Sequence, residues 1–328
     1  MNDSITFEDG RRVIPCRQIA EGGFGCVFLA RDAGISKKVL YALKKIECNN
    51  KEAIEQCRKE ASIHRMFNHE NIMPLLGMKF ETSTKHCFML FPYIRLSLHD
   101  DIMARHLLED TAESNRSPYS ETEALTLFSK IVDAVETLHG AGISHRDIKP
   151  ENILLTKRDK HLKCSTPVLM DFGSAGTLTE ALHSWPDIIK MTEKAALHTT
   201  IQYRAPELFG GGNQYGPTQV IHYDKADIWS LGCVLFAMLY GSSPFEIEWR
   251  VSLVEGAAAE GTARIVECTY PKVLEPVPFP PDGSAADRRY DSDPNELIEW
   301  ILRHKVTERP SCFEISKRLQ KMVLEHID

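Results

Sequence analysis

The feature that most constrains this chain is a change of hydrophobic period near residue 96. Before it, apolar and β-branched residues come in short alternating runs at 13–19, 26–30, 39–46, 73–80 and 86–94, the pattern of β-strands. One stretch breaks the alternation. Ala53, Ile54, Cys57, Ala61 and His64 recur at helical spacing, with Lys, Glu and Arg on the other face, which predicts a helix over 51–67. Beyond residue 96 the pattern is helical, with helices predicted over 121–139, 226–240, 296–303 and 311–326. Ser120 followed three residues later by Glu123 marks the start of the first of these as a capping box. Three polar or Gly/Pro-rich segments, 104–119, 210–225 and 270–294, read as surface loops. The expectation is a strand-rich N-terminal part with one helix, followed by a larger helical part.

Composition narrows the classes of function. Hydrophobic residues make up 43% of the 328, enough to build real cores and too many for a disordered or collagen-like chain. The net charge of −7 argues against a nucleic-acid partner, because phosphate binding needs clustered Lys and Arg. Nine cysteines, an odd number with no C-x-x-C, argue against a disulfide framework or structural zinc and for reduced thiols in a cytoplasmic protein. The first residues carry no secretory signal, and the longest mainly apolar stretch, 228–240, falls short of the ~20 residues a membrane helix needs.

Five sequence features carry chemistry. Gly22-Gly23-Phe24-Gly25 joins two predicted strands. Glycines there let backbone N–H groups approach a phosphate. The strand after Gly25 disfavours a dinucleotide-binding oxidoreductase, whose glycines must open a helix. Lys44 ends a buried strand pattern and needs an anionic partner, which Glu60 on the next helix could supply. His145-Arg146-Asp147-Ile148-Lys149-Pro150-Glu151-Asn152 is followed, nineteen residues after Asn152, by Asp171-Phe172-Gly173, and then by Tyr203-Arg204-Ala205-Pro206-Glu207.

Taken together and in this order, these motifs resemble the protein-kinase signature over residues 12–322. The runs 19–24, 64–69, 169–174 and 203–209 are similar to those of the numb-associated kinase family, nearest its myristoylated and palmitoylated serine/threonine kinase branch. The resemblance implies an α+β bilobal fold, with a small antiparallel N-lobe sheet and one helix (12–91), a hinge (92–95) and a mainly helical C-lobe (96–322). Residues 1–11 and 323–328 would be short termini. It implies transfer of the γ-phosphoryl group of ATP to Ser/Thr hydroxyls of proteins, with Mg²⁺ and with autophosphorylation. The alternative is a kinase-fold scaffold that binds nucleotide with little turnover.

By the same resemblance, Ala20, Glu21, Gly22, Gly23, Phe24 and Gly25 would cover the ATP phosphates. Ala20 replaces the usual first glycine and stiffens the loop. Lys44, held by Glu60, would contact the phosphates. Val27, Ala42 and Leu154 would sandwich the adenine. Phe91 would be the gatekeeper, with Pro92 and Ile94 contributing a hinge carbonyl and N–H. Asp147 would orient the acceptor hydroxyl, Lys149 would neutralise the transferring phosphate, and Asn152 and Asp171 would hold Mg²⁺. Thr200 would touch the Asp147–Lys149 pair, Glu207 would pair with Arg309, and Asp227 would accept catalytic-loop N–H groups. Arg146 could receive a phosphate placed on Ser184, Thr192 or Thr199. The family's additional helical segment is expected within 208–225. His64, where an apolar residue is usual, is expected as a neutral core histidine. Asn2 replaces the glycine that myristoylation requires, so no lipid anchor is expected. Partners would be Ser/Thr-bearing protein substrates, with trafficking partners suggested by family likeness alone, and location cytoplasmic or peripheral to membranes. No separate targeting domain is expected.

Overall fold

The alternating runs of the N-terminal part form one antiparallel sheet. The computed structural model describes residues 4–22, 25–34, 39–109, 119–156, 165–210, 219–252, 260–281 and 292–325. Its strands are β1 (Ile5–Thr6), β2 (Arg12–Gly22), β3 (Gly25–Asp32), β4 (Leu40–Glu47), β5 (Gly77–Glu81) and β6 (His86–Pro92), in the order β1-β2-β3-β4-β6-β5. Alternation predicts no strand before residue 12. The two-residue β1, which pairs Ile5 with Val13, is too short to show a period. β5 starts at Gly77 rather than 73, and the Met73 N–H donates instead to the Leu169 carbonyl (2.9 Å). β6 stops at Pro92, which has no N–H to extend the ladder. Pro15 is accommodated inside β2 at a register shift.

Register sorts the side chains onto two faces. Ala20, Val27, Lys44 and Met89 are successive cross-strand partners and so share a face. Leu43 and Leu90 partner each other and bury with Phe7, Val13 and Ala30. The single helix of this unit, α1 (Lys51–Met66), starts at Asn50, whose side chain accepts the Ala53 N–H (2.8 Å). Cys57 and Ala61 of α1 pack with Met73, Cys87, Met89 and Phe91. Glu60 lies on the same buried side of the helix. The chain returns to this unit with Leu154–Lys157 and Val168–Gly173, where Leu169 bridges to Ile72.

The second compact unit comprises Ser97–Ile153, Arg158–Pro167 and Ser174–Asp328. Its helices are α2 (Leu98–Glu109), α3 (Glu121–Gly140), α4 (Trp185–His198), α5 (Tyr223–Tyr240), α6 (Tyr270–Val273), α7 (Ser292–Ile301) and α8 (Cys312–Glu325). α5 is apolar all round, and from Ala226 to Tyr240 every residue is buried, as befits a core helix. α3 and α7 pack on α5, and α8 packs on α3. Gly232 permits the contact with α7. A Cβ there would lie 2.6 Å from Ile301 and 2.8 Å from Leu302.

Three loop expectations need correction. Segment 104–119 begins as helix, since α2 runs to Glu109. Arg105 bonds Asp101 (2.9 Å) and Glu123 (3.0 and 3.2 Å) and lies 3.9 Å over the ring of Tyr119, which is fully buried. Segment 210–225 contains a strand at Gln219–His222, paired with Thr179–Leu182, and the first turn of α5. The additional helical segment expected within 208–225 falls largely on residues 211–218, which lie outside the described residues. A 14-residue helix, α4, lies upstream, between Gly173 and Ala205. Ser184 caps it, and Pro186 sits in its first turn, where a missing N–H does no harm. Segment 270–294 begins with α6 and ends inside α7. A hairpin of Ile247–Ser252 and Glu260–Ile265 was not expected.

Candidate active site

In the first unit, a cavity of about 400 Å³ opens on the face that carries Lys44. Sheet register supplies one wall with Ala20, Val27, Ala42 and Lys44. Phe91, Pro92 and Ile94 follow along β6 and its continuation. Leu154, Met170 and Asp171 come from the returning segments, and Glu60 and His64 from α1. The apolar majority with a few convergent charges suits an aromatic heterocycle bearing an anionic tail.

The charges are tightly coupled. Lys44 Nζ lies 2.7 Å from Glu60 Oε1 and 3.0 Å from Asp171 Oδ1, with the lysine and Glu60 buried. Burial works to lower the Lys44 pKa, but the carboxylates of Asp171 and Glu60 overrule it and hold it well above the usual lysine value. Burial pushes the Glu60 carboxyl up, opposed by Lys44. Asp171 adopts a left-handed backbone (φ 66°), uncommon for a residue with a side chain. Gln56 of α1 donates to the Gly173 carbonyl just beyond it.

The glycine turn is less simple. Gly22 pairs with Gly25, while Gly23 and Phe24 lie outside the described residues. Gly25 has φ 117°, and a Cβ there would meet the Lys45 carbonyl at 2.3 Å. The sheet itself therefore demands this glycine. Glu21, expected to help cover the ATP phosphates, accepts from Gln18 Nε2 (2.9 Å) and is not among the residues lining the cavity, because strand alternation turns it to the face opposite Ala20.

The second unit builds a separate polar cluster around Asp147. Asp147 Oδ1 accepts from the Thr200 N–H and hydroxyl, both at 3.2 Å. Oδ2 lies 3.0 Å from Lys149 Nζ and accepts from Asn152 Nδ2 at 3.0 Å. Lys149 also donates to Thr200 Oγ1 (2.6 Å). Pro150 opens a 3-10 turn ending at Asn152, whose amide also reaches the Asp147 carbonyl (2.8 Å). Asn152 thus spends its N–H donors on Asp147 and keeps its side-chain oxygen, a hard ligand, for a cation. Among the described residues, no three His, Cys, Asp or Glu side chains converge as a metal cage.

Comparison with known proteins bears on the same residues. The protein kinase domain family matches residues 15–319. Serine/threonine-protein kinase 16 of mouse and of human are each 33% identical over 242 residues, covering 73% of this chain and 73% of each relative. A probable serine/threonine-protein kinase of Dictyostelium discoideum is 26% identical over 365 residues, 94% of this chain and 93% of that protein. The chain belongs to the protein kinase family. It is a serine/threonine protein kinase.

Other kinase features lie in the second unit. Asp227 accepts the N–H groups of His145 and Arg146, each at 2.8 Å, as expected. Arg309 forks onto Glu207 at 2.7 and 2.8 Å, with its charge buried and 4.8 Å over Trp229. Arg146 is held by neighbours in the same unit. It donates to Ser144 Oγ (3.1 Å) and to the Thr177 carbonyl (2.7 Å) and hydroxyl (3.2 Å), and lies 3.5 Å over the ring of Tyr223. A Cβ on Gly176 would strike this guanidinium at 2.6 Å. The guanidinium is therefore held by Ser144, Thr177 and the ring of Tyr223.

The three expected phosphate acceptors are likewise engaged. Ser184 caps α4. Thr192 Oγ1 donates to Ile188 (2.9 Å). Thr199 Oγ1 donates to Ala195 (2.7 Å) and accepts from Arg204 (2.6 Å).

Beyond the expected ATP-binding residues, the cavity wall takes in Arg17, Ile19, His64, Met73 and Met170, together with Tyr93 and Arg95 of the expected hinge. Ile19 and Met170 adjoin motif residues and were within reach. Met73 enters through its bond to Leu169, which no local pattern announces. His64 is a core histidine as expected. Nδ1 donates to the Met73 carbonyl (2.7 Å), and the ring meets Phe91 (4.9 Å) and Phe172 (4.6 Å).

Proposed function

We propose that this kinase transfers the γ-phosphoryl group of ATP to Ser and Thr hydroxyls of protein substrates, itself included. The observation that carries the proposal is the Asp147 carboxylate, held by four hydrogen bonds or ion contacts from Thr200, Lys149 and Asn152. So held, it presents a fixed acceptor to an incoming hydroxyl. It accepts the hydroxyl's hydrogen bond and orients the oxygen for attack. Lys149 stabilises negative charge on the transferring group.

The first-unit cavity supports ATP binding by this chain. Val27, Ala42, Leu154, Phe91, Pro92 and Ile94 would hold the adenine. Lys44, pinned by Glu60, would bind the non-transferred phosphates. The backbone around Ala20–Gly25 would cover them. Asn152 in the second unit and Asp171 in the first each carry an oxygen of the kind Mg²⁺ takes, and the kinase resemblance assigns the ion to them, where it would neutralise phosphate charge. We retain the division into N-lobe 12–91, hinge 92–95 and C-lobe 96–322 as part of this reading.

The narrower placement in the numb-associated family rests on the resemblance of runs 19–24, 64–69, 169–174 and 203–209. Trafficking partners, and a cytoplasmic or membrane-peripheral location, belong to the same reading. No described helix is long and apolar enough to cross a membrane.

The test is a peptide array with radiolabelled ATP and Mg²⁺, carrying matched Ser, Thr and Tyr acceptors. Label on Ser and Thr peptides is expected. Label on Tyr peptides alone would overturn the acceptor class. Nucleotide binding with no label anywhere would favour a scaffold.

A further inference from the structure

We propose that Cys312 is a positioning residue for the catalytic loop, acting through His139 and Asp227. This rests on Asp147 being the residue that orients the acceptor. The contacts form a line. Asp227 Oδ2 and Oδ1 accept the N–H groups of His145 and Arg146 (2.8 Å each), immediately before Asp147. His139 Nε2 lies 2.9 Å from the same Oδ2. Cys312 Sγ lies 3.6 Å from His139 Nδ1. Cys312 is the first residue of α8, held there by a reciprocal cap in which Ser311 N–H donates to Glu314 (2.8 Å) and Glu314 N–H donates to Ser311 Oγ (3.3 Å).

Donor logic assigns each proton. An ionised carboxylate only accepts, so the hydrogen between His139 and Asp227 is carried by Nε2. In a neutral ring Nδ1 is then an acceptor, and the group facing it is a thiol. Burial pushes the Cys312 thiol up, with Asp227 and Glu136 adding to it, so sulfur keeps its proton and donates. The geometric consequence concerns rotation. A ring held by one hydrogen bond pivots about it, whereas a second bond on the opposite side fixes its plane. A fixed imidazole directs Nε2–H at Asp227 Oδ2, and Asp227 in turn fixes the two peptide units that lead into Asp147.

The experiment compares Cys312→Ser, which keeps a hydrogen-bond donor, with Cys312→Val, which fills space without one, in the full chain. Two readouts are taken, steady-state kinetics and amide hydrogen exchange at His145 and Arg146. Thermal melts identify any variant that has lost its fold. In the Val variant kcat should fall about three- to tenfold, the worth of one net hydrogen bond, with KM for ATP nearly unchanged. Exchange of the two amides should quicken by a similar factor. The Ser variant should restore both. A Val variant that melts, exchanges and turns over like wild type would overturn the proposal, as would a Ser variant no better than Val. If wild type transfers no more phosphate than Asp147→Asn, the proposed function fails instead. Amide exchange then still decides the role of Cys312. Should Val fail to fold, the comparison of Ser with wild type and Cys312→Ala on the same two readouts decides in its place.

Discussion

At the scale of single residues, Lys44 shows how buried charge is made tolerable. Its ammonium sits between Glu60 and Asp171 at 2.7 and 3.0 Å. Its pKa is raised in the folded chain, so its contribution to stability is complete below the unfolded value of 10.5. That contribution is lost only as pH rises through the raised folded value. Stability from this group is therefore flat across neutral pH. Lys44→Met leaves two carboxylates facing each other and should destabilise the chain by ~3–5 kcal/mol in urea unfolding. Adding Glu60→Leu should recover part of that loss. Simple additivity of the two losses would mean that they are not coupled. Thr200 is a second case, because its hydroxyl bridges Lys149 and Asp147. Thr200→Ala should lower kcat roughly ten- to a hundredfold, as expected for hydrogen bonds to charged groups, while Thr200→Ser stays near wild type. Steady-state kinetics on the two variants decide it. These residues were legible in the sequence because their chemistry is packed into short motifs. Cys312 was not, because its partner His139 lies 173 residues away and only helix packing brings the two together.

At the scale of elements, periodicity exposed β2, β3, β4, β6, α1, α3 and α5, whose buried faces repeat over enough residues to leave a pattern. α4 was missed although Ser184-Trp185-Pro186-Asp187 is a helix start with a capping serine, a proline in the first turn and an acidic residue three positions on. The Asp187 carboxyl is lowered by the Ser184 hydroxyl and the His183 N–H. The cap is thus complete above the unfolded value of 3.8 and is lost as pH falls through the lowered folded value. Protection from hydrogen exchange along 185–198 should hold steady from neutral pH to 5. Ser184→Ala should reduce it at every pH, by about 1 kcal/mol. The far end of α4 behaves oppositely. Thr199 is its C-cap, and a negative charge there opposes the helix dipole. Thr199→Glu should therefore weaken protection of the last turn, whereas Thr199→Ala should leave activity nearly intact. Activation by Thr199→Glu would contradict this account.

At the scale of the whole molecule, the change of period near residue 96 coincides with the end of the first stretch of one compact unit, Met1–Leu96, and the start of the other at Ser97. The sequence alone did not reveal that Leu154–Lys157 and Val168–Gly173 return to the first unit. That return places Leu154 and Asp171 beside Lys44 in one cavity. The residues proposed to bind nucleotide thus gather in the first unit, and Asp147, proposed to orient the acceptor, lies in the second with its partners Lys149, Asn152 and Thr200. The two functions should therefore separate on mutation. The most direct measurement takes wild type and Asp147→Asn through two assays on the same preparation, the thermal shift produced by Mg-ATP and phosphate transfer to a protein substrate. The account expects the variant to keep the thermal shift and to lose transfer by about 10²–10⁴-fold, the usual worth of a positioned base. Equal phosphate incorporation by the two proteins would contradict it.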